Sequence, residues 1–229
     1  MFCESLPRFR GYPVKCRHVE VAGRGYHLLG PANYEALLDE PRVIARFEQD
    51  EYLPYWAEFW PAALLLAETV AGWGPADNSK PFTVLDLGCG LGIAALVALG
   101  LGYAVIAADY DEDALGFVVE SARANGLPPP QTRSVDWRRS YPDLRAERIV
   151  AAEVLYEARH IEPIAAFVAQ HLTPNGFAAI ADANRPTADG LPETARRHGL
   201  AVEVQAVNRP AVGRLFHLSR AAGQTGTGR

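Results

Sequence analysis

The stretch VLDLGCGLGI, Val84 to Ile93, carries an apolar run into Asp86 and then sets Gly88, Gly90 and Gly92 at every second position. Acid, bare backbone and a helix start lie within ten residues, which is the equipment for holding a charged ligand close to the main chain. Two common cradles are excluded by detail. There is no Gly-Lys-Ser/Thr ending, so a triphosphate loop is absent. The dinucleotide fingerprint needs Gly or Ala five residues after its first glycine, and counting from Gly88 that position is the bulky Ile93.

What remains fits a ligand without a pyrophosphate. A helix N-terminus at Leu91 favours a carboxylate, and Asp86 can take an ammonium, so an amino-acid moiety satisfies both. Asp109 lies 21 residues beyond Gly88, where a carboxylate accepts the hydroxyls of a ribose. Asp136 can take the exocyclic amine of an adenine while Trp137 covers its face. Amino acid, ribose and adenine together make S-adenosylmethionine.

Asp86, Asp109, Asp136, Glu153 and Asp182 fall at or near the ends of consecutive predicted strands, which places them on one rim of a parallel sheet. The strands read as PFTVLDL, YAVIAAD, TRSVDW, ERIVAAEVLY and GFAAIADA, followed by a hairpin of LAVEVQAV and GRLFHLSR. Helical patterns between them are GIAALVALGLG, EDALGFVVESARANG, HIEPIAAFVAQHL and LPETARRHG. Upstream, residues 1 to about 17 read as irregular, HVEVAGRGYHLL as a hairpin, and NYEALLD and RVIARFE as short helices. Pro61 suits the first turn of a helix running through Ala71. Trp56 reads as a core anchor. His160 reads as a helix-start surface histidine, with proton shuttling as its second use.

VLDLGCGLG, AADYDEDAL and SVDWR resemble the first three motifs of the class I S-adenosylmethionine-dependent methyltransferases, in order and over about Pro81 to Arg220. That resemblance implies an α/β, Rossmann-like, seven-stranded mostly parallel sheet with helices on both faces and the last strand inserted antiparallel. Here it carries an N-terminal hairpin and helical extension. The expected division is residues 1–57 as extension and lid, 58–220 as methyltransferase domain and 221–229 as disordered tail. PYWAEFWPAALLLAE and AAEVLYEARH further resemble the family-16 protein-lysine methyltransferases, whose fourth motif is usually Asp-x-x-Tyr and is here Glu153-Val-Leu-Tyr156. The resemblance implies that Trp60 covers the methionine end of the cofactor. It also implies that Glu153 and Tyr156 grip and aim an acceptor amine at the cofactor's methyl group.

Net charge is −5, so no basic field exists for general nucleic-acid binding. Three cysteines without paired spacing argue against a disulfide framework or a metal site. No segment reads as a membrane span or a secretory leader, and a cytoplasmic location is expected. The expected activity is methyl transfer to a protein lysine. The alternatives are a small-molecule N- or O-methyltransferase, a non-catalytic cofactor- or partner-binding module, and, least favoured by Ile93, an NAD-dependent oxidoreductase.

Overall fold

The computed structural model describes residues 7–77 and 82–221. A short strand β1 (Arg8–Phe9) precedes a hairpin of β2 (Tyr12–Val21) and β3 (Arg24–Pro31), and the three form a small antiparallel sheet. Helices α1 (Glu35–Leu38) and α2 (Pro41–Asp50) follow, and a 3-10 turn at Tyr55–Ala57 delivers the chain to α3 (Pro61–Ala71). Pro41 and Pro61 open their helices at the position where a missing N–H costs nothing. The remainder is β4 (Thr83–Leu87), α4 (Ile93–Gly100), β5 (Ala104–Asp109), α5 (Glu112–Ala124), β6 (Gln131–Ser134), β7 (Ala146–Ala152), α6 (Ala158–His171), β8 (Leu172–Asp182), α7 (Leu191–Arg197), β9 (Leu200–Val207) and β10 (Gly213–Arg220).

The main sheet runs β6-β5-β4-β7-β8-β10-β9. Its first five strands are parallel, and β10 lies antiparallel between β8 and β9, as the motif order implies. Helices cover both faces, so each strand divides its side chains between two cores. Val84 of β4 belongs to the core beneath α3, α4 and α5, while its neighbour Leu85 belongs to the core beneath α6 and α7. The order reverses beside β4, so the carboxyl ends of β4, β5 and β7 open onto one crevice, the usual ligand position in such sheets.

Four boundaries differ from expectation. β2 begins at Tyr12, inside the stretch read as irregular, because Tyr12 is buried against Trp56 and Phe117 despite the neighbouring Gly11 and Pro13. β6 stops at Ser134, so Asp136 and Trp137 sit in the loop after it. β8 starts at Leu172 and passes through the turn-like Thr-Pro-Asn-Gly, absorbed by a register shift opposite β7. α4 starts at Ile93, two residues later than Leu91. Cys16 is disulfide-bonded, contrary to the cysteine argument, because an odd count excludes only complete pairing. Cys89 is free and buried. No helix among the described residues is long and apolar enough to cross a membrane. Of the expected tail, only Ala221 lies within the described residues.

Candidate active site

The glycine turn after β4 is built by its own backbone first. Gly88 and Gly92 have φ of +67° and +81°, where side chains other than hydrogen are strained. A Cβ on Gly92 would also lie 2.5 Å from Val118 Cγ2 on α5, and one on Gly88 would lie 2.9 Å from Val154 Cγ1. These glycines therefore serve protein packing as well as ligand approach. The Cys89 amide donates to the Ala108 carbonyl at 2.9 Å and the Gly90 amide to Asp109 Oδ2 at 2.9 Å, which fastens the turn to the end of β5.

Asp86 is 3% exposed, and its Oδ2 accepts the Ala95 amide of α4 at 3.1 Å. Burial pushes its carboxyl up to about 7, with the nearby Asp109 adding to the effect and the Ala95 hydrogen bond opposing it. Asp109 also accepts the Asp111 amide at 2.9 Å, and burial holds it at about 6 against the opposing amides of Asp111, Gly90 and Tyr110. Two buried acids held in this way are ready for a ligand that brings an ammonium and hydroxyl donors.

Past β6, the Asp136 carboxylate is engaged from its own loop. Arg138 donates Nε at 2.8 Å to one oxygen and a terminal nitrogen at 2.9 Å to the other, while the Arg138 amide reaches the first at 3.0 Å. Burial alone would raise the Asp136 carboxyl, but Arg138 outweighs it and the net direction is down. Trp137 stands beside this pair, with its Cζ3 3.3 Å from where a Gly88 Cβ would be. His160, in the first turn of α6, packs edge-on to Trp137 at 5.3 Å and to Tyr156 at 4.7 Å.

The other end of the crevice is organised by Glu153. It follows β7 directly and has φ of +59°, an uncommon backbone state that tertiary contacts must hold in place. Those contacts are visible. Oε1 accepts the Ala62 amide in the first turn of α3 at 3.1 Å, and Oε2 pairs with the Arg185 guanidinium. Arg185 also pairs with Asp182 at 3.3 Å and lies 5.9 Å from the Trp60 ring centroid. Tyr55 packs edge-on to Trp60 at 5.9 Å and to Tyr156 at 5.0 Å, and Trp60 Nε1 donates to the Tyr55 carbonyl at 2.8 Å. Burial raises the Tyr156 hydroxyl well above its ordinary range.

Trp60, Asp86, Gly88, Gly90, Gly92, Asp109, Asp136, Trp137, Glu153 and Tyr156 all line one cavity of about 340 Å³. That volume is ordinary for a small-molecule site. Trp56 lines it as well as serving the core. Asp182 does not; it is fully buried behind Glu153 and tied to Arg185 and Arg214. A family model for a methyltransferase domain matches residues 52–222.

The chain belongs to the class I S-adenosylmethionine-dependent methyltransferases.

This methyltransferase is 36% identical over 95 residues to ribosomal protein L11 methyltransferase of Sorangium cellulosum, a match covering 41% of the chain and 29% of the relative's length. Among solved structures it resembles ribosomal protein L11 methylase of Lactobacillus delbrueckii subsp. bulgaricus, with 21% identity, 68% of this chain and 77% of that one covered, and a TM-score of 0.56. It also resembles the 16S rRNA N2 G1207 methyltransferase of T. Thermophilus, solved with AdoMet and guanosine. There the identity is 17%, coverage is 91% of this chain and 50% of that one, and the TM-score is 0.64. These neighbours are named for a protein and for an RNA acceptor, so the acidic balance of the chain does not decide the acceptor class. S-adenosylmethionine fits the residues present: a glycine turn at positive φ, two buried acids on the cavity wall, and aromatic rings lining it. Arg185, Tyr55 and Arg138 escaped sequence reasoning. Tyr55 had a signal in the aromatic density before Pro61, whereas Arg185 follows Asp182 in a loop that no motif marks.

Proposed function

We propose that the chain transfers a methyl group from S-adenosylmethionine to a side-chain amine of a protein, lysine foremost. When bound, the cofactor supplies a sulfonium-activated methyl; the residues of the chain supply placement. Asp86 and the start of α4 take the amino-acid moiety, Asp109 the ribose hydroxyls, and Trp137 one face of the adenine. Trp60, fixed by Tyr55 and by the first turn of α3, closes the methionine end. Placement of a nucleophile in line can contribute about 7–11 kcal/mol.

The observation that carries the amine reading is the Glu153–Arg185 pair behind an aromatic mouth. A lysine with a reference pKa near 10.4 needs about 4.6 kcal/mol to present a neutral amine at pH 7. A free carboxylate at the mouth would hold it as ammonium. Here the charge of Glu153 is already met by Arg185 and the Ala62 amide, and the approach is lined by Tyr55, Trp60 and Tyr156, so desolvation favours the neutral nucleophile. Glu153 then acts as a positioning residue for α3 and Trp60, and Tyr156 aims the amine. Similarity to ribosomal protein L11 methyltransferase supports a protein acceptor.

Two measurements test this. Titration calorimetry with S-adenosylmethionine should show one site. Cell lysate incubated with the protein and methyl-labelled cofactor should gain label in the protein fraction, recovered as methyl-lysine on hydrolysis. Label confined to RNA or to small molecules overturns the acceptor reading and leaves methyl transfer standing.

A further inference from the structure

We propose that the outward face of α2 docks the acceptor protein, holding a basic segment with an apolar anchor beside the target lysine. This rests on the protein-acceptor reading above and names the surface that selects the segment. α2 reverses the usual arrangement of a surface helix, in which apolar side chains face the core and charges face water. Val43 is its one buried residue, while Ile44 and Phe47 are 47% and 48% exposed. Its arginines turn back onto the domain instead. Arg42 pairs with Asp113 at 3.4 Å and Arg46 with Asp111 at 3.0 Å. Each guanidinium also lies over a tyrosine ring, Arg42 over Tyr12 at 4.8 Å and Arg46 over Tyr52 at 3.3 Å.

Single exposed apolar residues are ordinary, but these two stand about one turn apart, with Glu40 and Glu48 on the same face by helical spacing. Residues 35–51 hold six acids and two arginines, and both arginines are engaged by α5 as above. Glu40 and Glu48 are exposed and in no ion pair among the described residues. An apolar ridge flanked by uncompensated carboxylates complements a segment carrying an apolar anchor and Lys or Arg, and it repels the phosphates of RNA. The ridge also leads to the site. Glu51 and Tyr52, which follow α2 directly, line the cavity. At 1.5 Å per residue, Phe47 lies about 6 Å and Ile44 about 10 Å before Glu51 along the helix. An extended chain covers those distances in about two and three residues, so the anchor lies at least that far in sequence from the lysine at the mouth.

The test is methyl transfer by the full chain from labelled S-adenosylmethionine to the proteins of a cell lysate, with S-adenosylhomocysteine affinity and sedimentation measured in parallel. In Ile44→Ser/Phe47→Ser, methyl-lysine formation at limiting lysate protein should fall at least about 10-fold, as for the loss of two central apolar contacts. S-adenosylhomocysteine affinity should stay within about 2-fold of wild type. Glu40→Lys/Glu48→Lys should lower transfer about 5-fold or more at low salt, and the corresponding glutamine variant by less. Transfer unchanged by the serine variant, or undiminished by charge reversal, overturns the proposal. So does a loss matched by an equal loss of S-adenosylhomocysteine affinity. A wild-type dimer that the serine variant dissociates assigns the face to a second copy, and label in RNA that the variant abolishes assigns it to RNA; either overturns the proposal. If the serine variant does not fold, the charge reversal still decides it. A wild type that labels no protein defeats the acceptor reading and this proposal with it, whereas protein labelling that no variant changes defeats this proposal alone.

Discussion

Asp86 and Asp109 carry a charge that burial makes expensive, at about 7 and about 6 against an ordinary 3.8. Their folded values are raised, so between the unfolded and folded values the native state holds more protons than the unfolded chain. Stability from these groups is therefore full below pH 4 and is lost as pH rises through 6 to 7. A ligand that donates to the ionised carboxylates reverses the preference. We predict that S-adenosylmethionine affinity rises between pH 5.5 and 7.5 and that binding near pH 6 releases protons. Calorimetry in buffers of different ionisation enthalpy measures that release, and proton uptake would contradict the assignment. A second prediction concerns Glu153→Gln. The amide oxygen still accepts from Ala62, but Arg185 is left with Asp182 alone. Turnover should fall at least about 10-fold while cofactor affinity changes less than about 3-fold. The acids were legible because strand ends and spacing locate them. Arg185 was not, because only the packed fold brings the loop after β8 to the end of β7.

The elements owe their positions to a few local commitments. Pro61 starts α3 and the Ala62 amide finds Glu153, so the first turn of one helix is satisfied by the end of a strand 91 residues away. The turn at Gly88 to Gly92 is held to β5 by main-chain bonds and pressed against α5. We predict that Gly92→Ala destabilises the protein by about 3 kcal/mol, combining left-handed strain with the Val118 clash. A urea melt should show a lower midpoint at unchanged slope. A shift below about 1 kcal/mol would mean α5 gives way freely. Apolar period and Pro/Gly punctuation revealed α3, β4, β5 and β10. They misjudged the start of β2 and the Thr-Pro-Asn-Gly passage of β8, where burial and sheet pairing override local turn chemistry.

At the scale of the molecule, the N-terminal hairpin belongs to the main core: Leu28 and Leu29 are at most 2% exposed and share a cluster with α3, α4 and α5. The part of the extension that borders the cavity is the strap from Asp50 to Trp60. On one side Tyr52 and Arg46 anchor it to Asp111. On the other, Glu51 meets Arg159 at 2.7 Å across side chains that are 68% and 50% exposed. The first anchor is sheltered; the second is the kind of pair that salt screens. We predict that raising salt from about 0.05 to about 0.5 M speeds S-adenosylhomocysteine release about 2- to 5-fold with little change in melting temperature, and that Arg159→Ala does the same at low salt. Stopped-flow release rates that ignore both changes would show that the strap does not control exit. The sheet order was legible from motif order, and with it the rim whose residues line the cavity. Which acceptor crosses the strap was not, because that depends on surfaces no local pattern encodes.

The pairing of Glu153 with Arg185 has a consequence for descent. Aspartate at position 153 would be one methylene shorter and would leave the partly buried Arg185 guanidinium with Asp182 as its remaining carboxylate partner. The two positions should therefore be inherited as a couple. Across an alignment of homologues, glutamate at the first should travel with arginine at the second, and lineages with aspartate there should carry something other than arginine. Independent assortment of the two columns would mean the contact is incidental.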